Sequence, residues 1–359
     1  MSLPYAATGF QMIREINVEN FRCYEHLKID KCARLNVIVG PNGVGKTALL
    51  ESIFLPLCAS TEVPVRLRVQ RGIDAALGGS RTRIENSLWG DFFYRGDFGR
   101  TITLHVDGDG VDNRTLSMRR AVSTSLTLSE DGQAETVEGP VLFKWTDARG
   151  HERSVMPLIA NGALQFPDTG EDLPDFFHFP ANSAVGTGEL ALHFSDLTSK
   201  GAVEEFIETF SKEYPRIADI KLLIHGGSAM LFARATDKEL AIPVANISGG
   251  INRVLGIQLA IAAHPKSVLT IDEIENGIYY KSMSGVWRGL LHFIRRFDSQ
   301  IFATTHSLEC LKALVTAAAG DMDDIALWRI GRGEDGSPVV RQFNGEEFEA
   351  AIEFDQEVR

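Results

Sequence analysis

The amino-acid sequence predicts an α/β fold that combines a mixed sheet with an antiparallel β subdomain and a helical lobe. An almost continuous apolar run at 35–39 is typical of a strand buried on both faces, and a helical stretch begins near Lys46. Short alternating runs broken by DGDG, EDG and ARG occupy residues 101–156, which favours antiparallel strands with tight turns. Towards the C-terminal end, apolar strands alternate with helices.

The elements before that region follow from the spacing of apolar residues. Apolar and polar residues alternate at 16–19 and again at 27–30, so two half-buried strands precede the buried one. Apolar side chains at helix spacing predict a helix over 198–214, and strands are expected at 219–225 and 229–235.

The C-terminal part of the chain is predicted to run helix, strand, helix, strand. A mostly apolar helix from about 250 to 263 ends before Pro265, which cannot continue it. Strands are expected at 267–271 and 301–304. Between them, apolar residues at steps of three and four predict an amphipathic helix over 283–297, whose apolar stripe faces the core.

The acidic stretch Asp107–Asp112 has two interpretations. It resembles the start of a calcium-binding loop, but an EF-hand loop requires Gly at its sixth position and Glu at its twelfth. Asp112 and Met118 occupy those positions. We therefore expect a hairpin turn.

The composition excludes a disordered chain and a broad basic surface. Of 359 residues, 44% are hydrophobic and 23% charged, and 36 basic against 48 acidic residues give a net charge of −12. Any contact with nucleic acid therefore requires a local basic patch. The four cysteines form no CxxC pair, no secretory signal is visible, and no apolar run reaches the roughly 18 residues that span a bilayer. We expect a cytoplasmic protein without a membrane partner.

The segment that follows the 35–39 strand matches the pattern GxxxxGK[ST] and leads into a helix. Its glycines allow backbone N–H groups to surround phosphate oxygens at a helix N-terminus. Lys46 is expected to reach the β- and γ-phosphates, and Thr47 to hold Mg²⁺ through its hydroxyl. An ordinary glycine turn is the alternative, but it does not explain the flanking strand and helix. The predicted nucleotide-binding residues are Gly40, Pro41, Asn42, Gly43, Val44, Gly45, Lys46 and Thr47.

Two acidic residues, Asp272 and Glu273, end the apolar strand that starts near Val268. Asp272 is expected to bind Mg²⁺ directly or through water, and Glu273 to orient and deprotonate the attacking water. Taken alone, the pair also fits a solvated strand end. The phosphate loop favours the catalytic interpretation.

Two further motifs lie at the ends of predicted elements. Ser248, Gly249 and Gly250 open a helix 24 residues before Asp272. Free amides, a hydroxyl and the helix dipole make such a start an anion-binding surface, and a plain N-cap is the alternative. His306 follows the last strand, 34 residues after Asp272, where it is expected to contact the γ-phosphate; a core histidine is the alternative.

These motifs resemble those of ABC-type ATPase heads of the RecF/SMC/OLD kind, which are AAA-annotated P-loop ATPases. The opening segment 19–22 is similar to that group's first strand, and 272–277 is similar to the Walker B and D-loop segment of OLD-like defence ATPases. The resemblance covers about 12–330 and is specific at the four motifs. It implies an ABC-type P-loop NTPase fold, ATP and Mg²⁺ as cofactors, and ATP hydrolysis as the activity.

The resemblance also implies a role for each matched residue. Lys46 and Thr47 bind nucleotide and metal. Asp272 is the Walker B acid, Glu273 the catalytic carboxylate and His306 the switch histidine.

Ser248–Gly250 form the signature motif, which in such proteins acts on the ATP of the partner subunit. Two features depart from the pattern. Ile251 stands where transporter-like heads have Gln or Glu, and Gln70 is a weak candidate for the Q-loop that fits an ordinary surface glutamine better. Arg22 is placed either near the nucleotide or in a structural salt bridge.

The same resemblance implies one ABC-type head over residues 1–359, in four parts. They are 1–100 with Walker A, 101–180 as the antiparallel β subdomain, 181–265 as the helical lobe with the signature motif, and 266–359 with Walker B, the switch histidine and the C-terminal segment.

Composite sites require two heads that meet head to tail, so we expect an ATP-dependent homodimer or higher oligomer, with a heterodimer with a similar head as the alternative. OLD-like relatives often add a nuclease domain, but the 53 residues after His306 show no such acidic cluster. A separate effector protein gated by the ATP cycle is therefore expected, with anti-phage defence as the setting. Two alternatives stay open: a RecF-like DNA-associated repair or maintenance ATPase, and an ATP-binding scaffold with little turnover. Whether the protein binds nucleic acid also stays open.

Overall fold

The computed structural model describes most of the chain, and the described residues fall into two units. They are residues 12–58, 60, 65, 81–108, 113–121, 126–128, 134–136, 139–160, 163–165, 176–181, 184–237, 240–334 and 336–353. The first unit comprises Met1–Lys31, Thr47–Pro174 and Arg332–Val339, and the second comprises Cys32–Lys46, Asp175–Gly331 and Val340–Arg359.

Strands and α-helices are distributed along the whole described chain. The strands are β1 (Ile13–Phe21), β2 (Tyr24–Ile29), β3 (Leu35–Val39), β4 (Ile102–Gly108), β5 (Arg114–Arg120), β6 (Leu126–Leu128), β7 (Ala134–Thr136), β8 (Val141–Thr146), β9 (Glu152–Val155), β10 (Leu158–Ala160), β11 (Ala163–Gln165), β12 (Phe176–Phe179), β13 (Ile217–His225), β14 (Ser228–Ala235), β15 (Ala241–Pro243), β16 (Val268–Ile271), β17 (Gln300–Thr304), β18 (Ile325–Arg332) and β19 (Pro338–Asn344). The helices are α1 (Lys46–Cys58), α2 (Arg81–Trp89), α3 (Thr187–Ser199), α4 (Val203–Glu213), α5 (Gly249–Ala263), α6 (Met283–Arg296), α7 (Leu308–Ala318) and α8 (Gly345–Glu353).

The first unit contains a six-stranded antiparallel sheet with the order β2-β1-β4-β5-β8-β9. The alternating pattern of β1 agrees with its place between two strands, because Val18 is buried between Leu27 of β2 and Leu104 of β4. Trp145 of β8 packs inward and donates from Nε1 to the Leu55 carbonyl of α1 at 3.2 Å. The predicted antiparallel strands are confirmed, and the first two strands of the chain extend their sheet.

The predicted hairpin after β4 agrees with the pairing of the strands that flank it. Val106 of β4 lies opposite Arg114 of β5 in an antiparallel register. The turn residue Asp112 and the Q-loop candidate Gln70 lie outside the described residues.

The second unit contains a sheet with the order β12-β16-β17-β3-β18-β19. The pairs β12–β16, β16–β17, β17–β3 and β3–β18 are parallel. The two central strands, β3 and β17, are buried at every residue, as their apolar runs predict. The predicted α/β class is confirmed, and the carboxyl ends of these strands lie at one edge of the sheet.

The helices of the second unit cover this sheet with apolar faces. α5 is buried along almost its whole length. In α6 the predicted stripe is buried at Val286, Trp287 and Leu290, and the Trp287 indole donates to the Cys310 carbonyl at 3.0 Å. Within the described ranges, no helix is both long and apolar enough to cross a lipid bilayer.

One helix prediction is wrong. The expected helix over 198–214 consists of α3, which ends at Ser199, and α4, which begins at Val203. Gly201 separates them with φ +67°, a conformation that glycine adopts without strain and that commonly ends a helix. The strands predicted at 219–225 and 229–235 are confirmed as β13 and β14.

The packing of α6 predicts how two leucine substitutions differ. Leu290 is fully buried, whereas Leu192 of α3 is 67% exposed. We expect Leu290→Ala to lower the free energy of unfolding by about 2–5 kcal/mol, because it leaves a cavity in the core. Leu192→Ala should change it by less than about 0.5 kcal/mol. Urea unfolding followed by circular dichroism measures both, and equal losses would contradict the burial of Leu290.

Candidate functional site

Three of the four predicted motifs meet where neighbouring parallel strands end. β17 lies between β3 and β16, and the phosphate loop, the acid pair and the histidine segment follow β3, β16 and β17 respectively. Backbone hydrogen bonds join these ends: the Thr305 N–H donates to the Ile38 carbonyl, and the Ile274 N–H to the Thr304 carbonyl, both at 3.0 Å. The loop through Lys46, the acid pair and the histidine segment therefore form one cluster within the second unit.

The loop after β3 has a backbone shape that requires glycine. Gly40, Gly43 and Gly45 have φ values of +146°, +75° and +110°, which other residues adopt only with strain. A Cβ atom at Gly40 would lie 2.2 Å from the Ile330 carbonyl oxygen of β18. The exposed residues of the loop are Pro41, Asn42 and Gly43, and Val44 is buried. The loop thus packs closely on β18 and exposes residues 41–43 to solvent.

Lys46 is a buried cation at the end of this loop. It is 8% exposed, and its Nζ donates to the carbonyl oxygens of Gly40 at 2.8 Å and Pro41 at 3.0 Å. Burial lowers the pKa of Lys46, and three acidic side chains oppose that shift: Asp272, Glu273 and Glu275. A phosphate oxygen offers this desolvated ammonium an anionic partner in place of two carbonyls. Thr47, the next residue, is half-buried in the first turn of α1 and belongs to the first unit.

A threonine of β17 holds the acid pair. The buried Thr304 donates from Oγ1 to Asp272 Oδ1 at 2.6 Å, and the same oxygen accepts from the Glu273 N–H at 2.7 Å. One hydroxyl thus orients the Asp272 carboxylate and the backbone of Glu273 together.

Glu273 has a strained backbone and a partly fixed carboxylate. Its φ is +47°, which is uncommon for a residue with a side chain. Its Oε2 accepts from Asn276 Nδ2 at 2.7 Å, and Asn276 Nδ2 also donates to the Ala181 carbonyl at 3.1 Å. The side chain is 34% exposed, so the carboxylate is positioned and still open to solvent. Strained residues of this kind concentrate at active sites.

His306 lies beside Glu273 but is held by Glu275. Its Nδ1 is 3.2 Å from Glu275 Oε1 and 4.0 Å from Glu273 Oε1, and its backbone N–H donates to the same Glu275 oxygen at 3.1 Å. The second oxygen of Glu275 is buried and has no hydrogen-bond partner among the described residues. The half-exposed His306 is therefore not a core histidine. Sequence reasoning assigned Glu275 no role, although it lies within the matched acidic segment.

Arg253 is a second residue of the site that sequence reasoning missed. It is 3% exposed, and its guanidinium donates to the Asp272 carbonyl at 2.6 Å and to the Pro180 carbonyl at 2.5 Å. Burial lowers the pKa of Arg253, and nearby acids, among them Glu275, oppose the shift. Its position in the helix that the glycine motif opens is the one sequence signal that points to it.

The signature-like motif forms the start of α5. Ser248 Oγ accepts from the Ile251 N–H at 3.1 Å, so it acts as the N-cap. Gly250 is buried, and a Cβ atom there would lie 2.2 Å from the Gly277 carbonyl oxygen. Ser248 and Gly249 are exposed. The contacts described for the motif are with α5 and Gly277 rather than with the phosphate loop.

Arg22 lies in the first unit and makes ion pairs. Its guanidinium pairs with Glu51, which is buried, and with Asp91 at 3.0 Å. The salt bridge that the sequence left open is therefore present.

Two protein-family models match the chain. One is described as "AAA ATPase domain" and matches residues 12–71. The other is described as "AAA domain, putative AbiEii toxin, Type IV TA system" and matches residues 138–311. The two matches include the phosphate loop, the acid pair and His306.

Three named proteins are similar over different lengths. An ATP/GTP phosphatase of Helicobacter pylori is 22% identical over 330 residues, covering 84% of this chain and 87% of that protein. A DNA double-strand break repair Rad50 ATPase of Methanopyrus kandleri is 34% identical over 111 residues, covering 28% and 12%. The DNA replication and repair protein RecF of Lactococcus lactis is 47% identical over 49 residues, covering 13% and 14%.

These similarities cover different fractions of the matched proteins. The chain spans most of the phosphatase but only a small part of Rad50 and RecF. Among solved structures, an Smc head domain bound to the C-terminal domain of ScpA, derived from Pyrococcus furiosus, is 13% identical with a TM-score of 0.49, covering 96% of this chain and 99% of that one.

The role of Thr304 leads to a prediction. Thr304→Val removes the hydroxyl that Asp272 and the Glu273 N–H share, and leaving a buried polar group without its partner costs about 1–3 kcal/mol. We therefore expect ATP hydrolysis to fall by about 5- to 150-fold. Thr304→Ser keeps the hydroxyl and serves as the matched control, with near wild-type turnover. Steady-state phosphate release measures both, and equal activity of Thr304→Val and wild type would contradict the positioning role.

Proposed function

We propose that this chain, which matches two AAA-type ATPase domain models and is similar to an ATP/GTP phosphatase and to parts of Rad50 and RecF, hydrolyses ATP with Mg²⁺ in order to control a separate effector protein. The proposed site consists of the loop 40–46, the acid pair Asp272 and Glu273, and His306. The proposed active form is a dimer in the cytoplasm.

The observation that carries this proposal is the burial of Lys46 near acidic side chains, at the carboxyl ends of parallel strands in one sheet. Phosphoryl transfer depends on positioning and charge compensation rather than on covalent catalysis. In this proposal, Lys46 supplies a desolvated positive charge for the β- and γ-phosphates, and the loop N–H groups supply further donors. The strand order keeps the loop and the acid pair in one cluster.

The residues of the site fit ATP and Mg²⁺ chemically. The positive φ values of Gly40, Gly43 and Gly45 give the loop a glycine-dependent backbone of the kind that binds phosphate through its N–H groups. Asp272 offers a carboxylate oxygen, the ligand type that Mg²⁺ prefers. When bound, Mg²⁺ neutralises charge on the phosphates. The magnesium role of Thr47 stays a prediction.

Glu273 is the proposed general base. Asn276 holds one of its oxygens, and the other faces His306 at 4.0 Å. A carboxylate that is fixed on one side and open to solvent on the other can orient a water molecule and accept its proton. We propose that His306, oriented by Glu275, contacts the γ-phosphate.

We infer a head-to-tail dimer from the exposed start of α5. Ser248 and Gly249 face solvent at a helix N-terminus, and their described contacts do not include the phosphate loop of the same chain. Such a terminus favours anions. The proposed partner of this surface is the nucleotide bound by a second copy of the chain.

The proposed biological role is inferred from the similar proteins rather than from the geometry of the site. The toxin–antitoxin description of the matching domain supports a defence setting. RecF and Rad50 similarity supports the alternative of a DNA-associated repair or maintenance ATPase. The net charge of −12 disfavours broad DNA contact. A scaffold with little turnover is the third candidate.

Substitutions at the site test the assignment of roles. We expect Glu273→Gln to keep ATP binding while turnover falls by about 10²–10⁴-fold, because only the proton acceptor is lost. Lys46→Ala should weaken ATP binding by at least about tenfold, since a charged hydrogen bond is worth roughly 1.5–3 kcal/mol. Binding of a fluorescent ATP analogue and phosphate release measure the two effects.

The matched control is Glu208→Gln, at an exposed glutamate of α4 that pairs with Lys212 at 3.0 Å. It should hydrolyse ATP like wild type. If Glu273→Gln and Lys46→Ala both hydrolysed ATP at the wild-type rate, the roles assigned to these residues would be wrong. Salt-sensitive DNA binding by ATP-bound Glu273→Gln would favour the RecF-like alternative.

Mixing two inactive variants tests the dimer. Lys46→Ala damages the phosphate loop, and Ser248→Arg blocks the start of α5, so each is expected to be inactive alone. A mixed dimer contains one site with both parts intact, so an equal mixture should recover about a quarter of wild-type turnover. Phosphate release from the mixture measures this. No recovery, with mixed dimers present by mass spectrometry, would contradict a site shared between chains.

A further inference from the structure

A cluster of metal-ligand side chains lies in the second unit, separate from the residues of the proposed nucleotide site. It consists of His193 and Asp196 on α3 and His264 directly after α5. One ligand atom from each residue lies within 4.8 Å of the other two. His193 is buried, His264 is half-buried and Asp196 is exposed, so the cluster opens to solvent on one side.

The distances match those between ligands of one metal ion. His193 Nδ1 is 3.1 Å from His264 Nε2, and His264 Nε2 is 3.6 Å from Asp196 Oδ2. Tetrahedral Zn²⁺ with bonds of about 2.0–2.1 Å places its ligand atoms roughly 3.3–3.4 Å apart. The exposed Asp196 side chain has the freedom to close the remaining distance to His193.

The surroundings of His193 favour a metal over a plain contact between two rings. His193 Nε2 is buried and has no hydrogen-bond partner within the described part of the chain. It lies 3.9 Å from Glu189 Oε1 one helical turn earlier. A histidine that binds metal through Nδ1 carries its proton on Nε2 and directs it to a carboxylate, which is the arrangement that Glu189 offers.

The two imidazole rings are also held in place by packing. Phe177 of β12 meets the His193 ring edge to face at 5.2 Å and the His264 ring at 5.0 Å. Such an aromatic wall restricts ring rotation and excludes water from one side of the site. Because the rings are already fixed, metal binding costs less side-chain conformational entropy.

We propose that His193, His264 and Asp196 bind one divalent transition-metal ion, for which Zn²⁺ is the fitting probe. Two imidazole nitrogens and one carboxylate are a ligand set that zinc accepts, with water as the fourth ligand. The ion would join α3 to the end of α5, whose other end carries Ser248 and Gly249. It would thereby stabilise the lobe that presents those residues.

The test uses the full chain, stripped of metal by a chelator, without nucleotide. Isothermal titration with Zn²⁺ should give one equivalent bound per chain, and Co²⁺ should give the visible absorption of a tetrahedral site. His264→Gln should weaken zinc binding by at least about tenfold, and Asp196→Asn should weaken it less. Zinc should raise the melting temperature of wild type but not of His264→Gln.

His292→Gln is the matched control, at an exposed histidine of α6 outside the cluster. It should bind zinc like wild type. If His264→Gln fails to fold, the exposed Asp196→Asn variant carries the test. Failure of wild type to bind zinc, or unchanged binding in His264→Gln or, where that variant does not fold, in Asp196→Asn, would overturn the proposal. Loss of ATP hydrolysis is not a readout here, so the result is independent of the proposed function.

Discussion

The proposed site depends on a balance of charge at the carboxyl edge of the parallel sheet. Two cations, Lys46 and Arg253, are buried there near the acidic segment that follows β16. A buried charge without a partner of opposite sign is strongly destabilising. The acidic segment therefore offsets part of the cost of burying the cations that the phosphate loop and helix α5 supply.

The strand order determines which of these groups lie close enough to interact. Because β17 lies between β3 and β16, its last residue, Thr304, can reach the acid pair, and the next residue can bond to the strand that precedes the loop. A different order would separate the loop from Asp272 by further strands. The burial of β3 and β17 on both faces thus has a chemical consequence, since it fixes the polar groups at their ends.

The sequence predicts the parts of the site that are local in the chain. The spacing from Gly40 to Thr47 and the pair at 272–273 are recognisable without any tertiary contact. Their partners are not, because Thr304 is 31 residues from Glu273 and Arg253 is 19 residues from Asp272. Strand order and burial decide those contacts, and no local pattern encodes them. The break at Gly201 is different, because glycine is a local signal for the end of a helix, but the apolar spacing that continues on both sides favours one uninterrupted helix.

Helix α5 links its exposed start, where we propose that a second copy of the chain binds, to the acid pair of the proposed nucleotide site. Near its start, Gly250 packs against the Gly277 carbonyl, and one turn later Arg253 donates to the Asp272 carbonyl. Interiors this closely packed do not deform continuously. A displacement of the exposed start of α5 therefore either breaks the Arg253 hydrogen bond or moves Asp272 with it. A partner bound at this surface would therefore act on Asp272 through Arg253, and on the segment after the acid pair through Gly277.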